Sequence, residues 1–311
     1  PEEVVKGAIL AKKEGVDVIL SGDENLIKSY LGNEKIPVIN YPQVISMDDD
    51  PAKAIRSNKD SSIIGALNLV KEKKADAVFS AGSTGATLIG AISVLGKIKG
   101  VTRPTIASVL PGKEKEVILV DSGANLEVKP KVLYQFAIMG SKLSELLFDI
   151  ENPRIGLINN GEESSKGREL EKATFKLLKS SQLNFIGNVE GKDFANSKVD
   201  VFVTDGFTGN VVLKTLQGVA KLQQDLISKS LKENLFKPLL VPVKNAISPV
   251  KSMLNPNSTN GSYLLGVNGL VIIGHGSSNS EAIKNALLFT SRAVEKRFIN
   301  KFTEVSSELW M

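Results

Sequence analysis

No cysteine occurs anywhere in the 311 residues. That excludes a thiol nucleophile, a disulfide framework and a Cys-ligated metal within the chain. Histidine is almost as scarce. His275 stands alone, so no His-x-x-x-His metal pair exists. Acyl chemistry here needs a nucleophile brought by the substrate, or a hydroxyl activated outside an ordinary triad. Aromatic residues make up only 5%, which leaves Val, Ile and Leu to build the core. No uninterrupted apolar run of about 18 residues marks a membrane span, and the first residues carry no signal-peptide pattern, so a cytoplasmic location is the expectation.

What is present is the composition of a soluble globular protein, 42% hydrophobic and 23% charged. The net charge of +5 permits an acidic partner, an anionic membrane or nucleic acid. An excess this small also serves plain solubility, and nucleic acid is not among the expected partners. No metal and no cofactor are expected.

A short β-branched run, Val199–Val203, leads into Asp205-Gly206-Phe207-Thr208-Gly209-Asn210 and then an apolar helical stretch, Val211–Leu222. This reads as strand, glycine-rich turn and helix, with Thr208 or Asn210 as the helix cap. Asp76–Gly85 repeats the frame. In both copies Asp begins the run, Gly follows six positions later, Thr eight later and Gly nine later. Helix N-termini with backbone N–H groups at a glycine turn suit an anion. Two such turns predict two loops facing one anionic ligand, unless both merely serve strand-to-helix geometry.

Strands are expected at Val16–Leu20, Ile36–Asn40, Thr105–Leu110, Glu116–Val120, Arg154–Ile158, Leu183–Ile186 and Leu270–Ile273. Helices alternate with them, at Pro1–Glu14, Glu24–Leu31, Ser61–Lys73, Thr84–Lys97, Pro130–Phe148, Arg168–Ser180 and Asn279–Phe302. The alternation predicts an α/β fold, a mostly parallel sheet with helices on both faces. Polar loops follow five of the strands: Ser80–Gly85, Asp121–Asn125, Asn159–Gly167, Asp205–Asn210 and His275–Ser278. Ligands in open α/β sheets bind at strand carboxyl ends, so these five loops are expected to share one site.

The segment 226–260 differs in kind. No Asp or Glu occurs from Asn234 to Ser280, and Lys237, Lys244 and Lys251 recur every seven residues, in step with Leu240, Ile247 and Leu254. This is an amphipathic pattern broken by Pro238, Pro242, Pro249 and Pro256. It reads as a helical arm inserted in a single α/β unit spanning 1–311. An apolar face flanked by lysines suits a membrane surface, and a dimer contact is equally compatible.

Several motifs together resemble the bacterial phosphate acyltransferase (PlsX) family. They are Ser80–Ala86 (SAGSTGA), Arg103-Pro104, Asp121–Asn125 (DSGAN), Tyr134–Gly140 (YQFAIMG), Phe185–Glu190 (FIGNVE), Val203–Lys214 (VTDGFTGNVVLK) and His275–Ser278 (HGSS). The resemblance runs in order along nearly the whole chain. It implies the fold of isocitrate and isopropylmalate dehydrogenases. It also implies transfer of a fatty acyl group from acyl carrier protein to inorganic phosphate, giving acyl phosphate for phospholipid synthesis. A homodimer, held peripherally at the membrane through 226–260, is part of the same expectation. Three departures stand out. The family's first strand and its Asp-containing glycine turn are missing before Pro1; a Thr is replaced within Asn160-Gly161-Glu162-Glu163; and Gly274 precedes His275.

Direct attack of phosphate on a thioester needs an anion cradle, donors for the developing oxyanion and a proton for the thiolate. For the cradle the sequence offers Gly82, Ser83, Thr84 and Gly85 with Asp205, Gly206, Thr208, Gly209 and Asn210. Asn125, Asn160 and Ser277 are further substrate-contact candidates. Lys166 is ranked first as the cation, ahead of Lys214, and His275 is the candidate proton donor. Asp121 and Asp205 orient donors or cap turns, since an unpaired carboxylate repels phosphate. The competing readings are a phosphotransacetylase-like enzyme using acyl-CoA, a decarboxylating dehydrogenase, and a non-enzymatic membrane scaffold.

Overall fold

The computed structural model describes residues 1–196, 198–234 and 261–304. The chain opens with α1 (Glu2–Lys13), β1 (Leu20–Gly22), α2 (Glu24–Leu31), β2 (Val38–Asn40), α3 (Pro51–Ser57) and α4 (Ser62–Lys71). Then come β3 (Ala77–Ser80), α5 (Thr84–Leu95), β4 (Thr105–Leu110), β5 (Val117–Val120), α6 (Pro130–Phe148), β6 (Ile155–Ile158), α7 (Glu169–Lys179) and β7 (Phe185–Val189). After a 3-10 turn at Gly191–Ala195 follow β8 (Val201–Val203), α8 (Gly206–Asn234), β9 (Ser262–Leu265), β10 (Leu270–Ile273), α9 (Ser280–Glu295) and α10 (Phe298–Thr303).

Most elements fall where the periodicity puts them, and the exceptions have local causes. β1 lies at Leu20–Gly22, not Val16–Leu20, because it pairs with Val38–Asn40. Pro37 has no N–H, so the ladder starts only after it. β7 runs Phe185–Val189 instead of Leu183–Ile186: a register shift opposite Ile155/Gly156 skips Ile186 and pairs Gly156 with Gly187. Three aspartates, Asp48, Asp49 and Asp50, precede Pro51. Asp50 caps α3 by accepting from the Lys53 N–H at 2.8 Å, with Pro51 in the first turn.

Eight strands form one sheet in the order β3-β10-β9-β4-β5-β8-β6-β7, and β1 pairs β2 in a small parallel sheet. In the large sheet β3/β10, β5/β8, β8/β6 and β6/β7 are parallel, whereas β10/β9, β9/β4 and β4/β5 are antiparallel. Three reversals in succession leave β5, β8, β6 and β7 running opposite to β3 and β10. The five polar loops therefore follow strands of two senses, β3 and β10 against β5, β6 and β8, and not strands of one sense as a parallel array would give.

Strand alternation divides the core. Ile118, Val120, Val201 and Val203 face the cluster built on α6, with Phe136, Met139 and Leu143. Val117, Leu119 and Phe202 face the other way, with Leu110, Phe194 and, from α8, Val212 and Leu213. α3, α4 and α5 pack with Val78 and Val271 in a third cluster. α8 thus leaves the carboxyl end of β8 and crosses the sheet on the face opposite α6. Of the helical arm expected at 226–260, the stretch 226–234 is the end of α8; the remainder lies outside the described residues. No helix among the described residues is long and apolar enough to cross a membrane.

Candidate active site

The two G-x-T-G copies fold differently. In the first, β3 ends at Ser80 and α5 begins at Thr84, with Ser83 as cap, its Oγ accepting from the Ala86 N–H at 3.3 Å. Ser83 is buried and committed to that role. Gly82, Thr84 and Gly85 line an open cavity of about 880 Å³, so the first turn of α5 is presented to it. No acidic residue stands in that turn, which leaves its positive dipole end available to an anion.

In the second copy the helix starts two positions earlier in the shared frame, at Gly206. The cap is Asp205, whose Oδ1 accepts from the Thr208 N–H at 2.7 Å; neither Thr208 nor Asn210 caps, contrary to expectation. Gly206 and Gly209 are not in a turn but inside the first helical turn, against the Asp121–Asn125 loop. A Cβ on Gly209 would lie 1.8 Å from the Asp121 carbonyl oxygen, and one on Gly206 2.7 Å from the Asn125 backbone. These glycines allow close packing. Gly206, Thr208, Gly209 and Asp205 do not line the cavity; Asn210, one residue on, does.

The carboxylates of this corner are spoken for. Asp205 is 2% exposed and is paired through Oδ2 with the Arg168 guanidinium, which also holds Glu171. Those two acceptors, Glu171 first, push the Arg168 pKa up against the opposing effect of burial. Asp121 is buried and accepts N–H groups of Ile106, Gly123, Ala124 and Asn125 together with the Asn125 Nδ2, between 2.7 and 3.2 Å. Burial pushes its carboxyl up, and these donors oppose the rise. Asn125 is tied down too, by Asp121 Oδ2 and Pro104 O, both at 2.9 Å. Ser122 and Ala124 line the cavity with Gly123, whose φ of 144° favours glycine.

His275 follows β10 and lines the same cavity, as does Lys214 from the third turn of α8. Lys214 Nζ is 3.4 Å from His275 Nε2, and His275 Nδ1 is 2.8 Å from Ser277 Oγ. Desolvation and then the Lys214 charge push the imidazole below its ordinary value of 6.5. A charged ammonium has only donors. Nε2 must then accept from Lys214, and Nδ1–H donates to Ser277. The assigned tautomer leaves further Lys214 N–H groups for an anion.

Lys166 and Asn160 are exposed in the loop after β6 and do not line the cavity. β6 lies beyond β8 in the sheet, farther from β10 than β5 and β8, whose loops do reach the cavity. Ser122 lines it from an expected loop, and residues not expected from the sequence do so too: Ser108, Gln217 and Ser262, and the apolar Met47, Phe79, Leu110, Phe194, Leu213 and Leu216. Nothing in their spacing marks them, except Gln217, which lies seven residues from Asn210 on one helix face. No group of three His, Asp or Glu side chains among the described residues could hold a metal ion.

Comparison with known proteins gives a consistent set. The model of the family described as fatty acid synthesis protein matches residues 1–301. A phosphate acyltransferase from Halothermothrix orenii is 42% identical over 309 residues, covering 96% of this chain and 92% of the relative. Another, from Pelotomaculum thermopropionicum, is 44% identical over 308 residues, covering 96% and 89%. Among solved structures, a phosphotransacetylase from Streptococcus pyogenes superposes with a TM-score of 0.61 at 18% identity, over 95% of this chain and 92% of that one. A 4-hydroxythreonine-4-phosphate dehydrogenase from Klebsiella pneumoniae does so at 0.54 and 13%, over 94% and 93%. At such identities these two likenesses concern the fold alone.

Proposed function

The chain belongs to the phosphate acyltransferase family, described as fatty acid synthesis protein, and from that premise we propose that it transfers a fatty acyl group from acyl carrier protein to inorganic phosphate. One observation carries the reading on the structural side. A single cavity joins an anion-suited end, made of the α5 N-terminus, Lys214 and His275, to walls of Phe79, Leu110, Phe194, Leu213 and Leu216. Phosphate fits the first part and the largely apolar acyl thioester the second.

A phosphate oxygen attacks the thioester carbonyl, the C–O bond forms, the C–S bond breaks and the thiolate takes a proton. Thr84, Gly85 and Asn210 hold the phosphate, and the Lys214 ammonium, steadied by His275, neutralises it. The Lys214–His275 pair supplies the proton to the thiolate. Gly82 and Ser83 shape the cradle, while Asp205, Gly206, Thr208, Gly209, Asn125 and Ser277 place its parts. Lys166 and Asn160 are retained only as outer contacts for a docked carrier.

A homodimer held at the cytoplasmic membrane surface completes the reading. Phe207, Val211, Val219, Leu222 and Leu226 form an exposed apolar stripe along α8, on the side away from Leu213 and Gln217. A helix apolar on both faces is one that something covers. The stripe leads into the lysine-bearing segment 235–260.

Thiol release from acyl carrier protein and from acyl-CoA, measured with and without phosphate, tests the function. Phosphate-dependent release from the carrier thioester is expected. Preference for acyl-CoA would make the protein phosphotransacetylase-like, and vesicle binding without transfer to phosphate would make it a scaffold. In the same assay His275→Ala is expected to lower turnover at least 100-fold, the scale of lost acid–base help, and Lys166→Ala to lower it only when the carrier is the donor.

A further inference from the structure

Three serine hydroxyls run in file along the sheet side of the cavity. Ser122 Oγ donates to Ile106 O at 3.1 Å, Ser108 Oγ donates to Ser122 Oγ at 2.8 Å, and Ser262 Oγ lies 2.8 Å from Ser108 Oγ. Each hydroxyl has one proton. Ile106 O can only accept, so the Ser122 proton goes to it, the Ser108 proton to Ser122 and the Ser262 proton to Ser108. The file therefore has one polarity. Ending on a carbonyl, it cannot carry a proton away. What it does is fix Ser262 as a hydrogen-bond acceptor, with Ser108 and Ser122 buried behind it.

On the helix side, Gln217 is half-buried and lines the same cavity, and its carboxamide has no hydrogen-bond partner among the described residues. The neighbouring lining is Leu110, Phe194, Leu213 and Leu216. A saturated acyl chain uses neither an acceptor nor a carboxamide. Phosphate would not settle among leucines when Lys214 and a helix N-terminus lie in the same cavity. A ligand segment that is mostly apolar yet carries its own donor and acceptor satisfies both.

We infer that this part of the cavity binds the secondary amides in the thiol arm of the acyl donor, an amide N–H donating to Ser262 Oγ and an amide C=O accepting from Gln217 Nε2. The inference rests on the proposed transfer from a thioester to phosphate.

Two thioesters of the same acyl group test it, one on pantetheine, whose arm has two amides, and one on ethanethiol, which has none. Ser262→Ala and Gln217→Leu are each expected to cut the pantetheine-to-ethanethiol ratio of kcat/KM about tenfold, as loss of one hydrogen bond would. Ser262→Thr should keep the wild-type ratio. An unchanged ratio in both disruptive variants overturns the inference, whatever happens to the absolute rates. Calorimetric binding of free pantetheine to the whole protein, which needs no turnover, decides independently. About tenfold weaker binding by each variant supports the amide site, and equal binding refutes it. No acyl phosphate from either donor with the wild type would instead count against the transferase reading.

Discussion

Asp76–Gly85 and Asp200–Gly209 share one frame of Asp, Gly, Thr and Gly, and the molecule uses them in different ways. In the first, Ser83 caps α5 and the helix opens its N-terminus onto the cavity. In the second, Asp205 caps α8 two frame positions earlier, and Gly206 and Gly209 are pressed against Asn125 and Asp121. One copy turns its helix N-terminus to the cavity, and the other uses its glycines to let a loop and a helix touch. Identical spacing fixes a strand-to-helix joint. The residue that caps the joint decides where the helix begins, and so which atoms face the cavity.

The sharpest way to break this contrast is to add a methyl group to each copy. Gly209→Ala places Cβ 1.8 Å from a backbone oxygen that cannot move aside. A loss of at least about 3 kcal/mol in denaturant unfolding is expected, at the upper end of overpacking costs. Gly82→Ala meets only ordinary contacts at 3.4 and 3.6 Å and should unfold within about 0.5 kcal/mol of wild type, with its effect confined to phosphate KM. Equal stability losses in the two would erase the distinction.

The caps provide a second, smaller comparison. Asp205→Ala loses both the Thr208 bond and the Arg168 partner, and about 2 kcal/mol is expected; Ser83→Ala loses a single neutral cap bond, about 1 kcal/mol. Urea melts of the two variants check the order.

The smallest effect is a titration. His275 is the only histidine, so its imidazole signal in an NMR pH series needs no assignment. With its pKa lowered by desolvation and Lys214, it should titrate below 6.5. A depressed histidine favours the folded state fully above the unfolded value, and that contribution fades as pH falls through the folded one. Lys214→Met removes the second cause and leaves the first, so the midpoint should rise without passing 6.5. A fixed midpoint would mean that the 3.4 Å approach is not held in solution.

Much of the chain was legible from pattern alone. α2 and α6 have the expected bounds, because capping and proline rules act within a few residues: Asp23 caps α2, and Pro130 starts α6. His275, Asn210 and the first glycine turn reach the cavity as the sequence suggested. Lys166 does not, and Lys214, ranked below it, does. Local composition made Lys166 the better candidate, since it sits in a polar loop after a strand, like the other expected site residues. The place of that strand in the sheet, beyond β8, was the missing information. Ser108, Ser262 and Gln217 were illegible for a related reason: they meet only across β4, β9 and α8, over separations that no local spacing records.

By itself, the sequence determined what depends on neighbours along the chain. It set the alternation of strand and helix, the short-range caps, the absence of thiol and paired-histidine chemistry, and the motifs that place it in its family. Strand sense, the starting residue of α8 and the identity of the cavity-lining cation were decided only in the tertiary structure. Hydrogen-bond ladders form in either parallel or antiparallel order, so pattern along the chain leaves open the order and sense of the strands, and with them which loops meet at the cavity. Only a helix crossing that sheet brings Lys214 to His275.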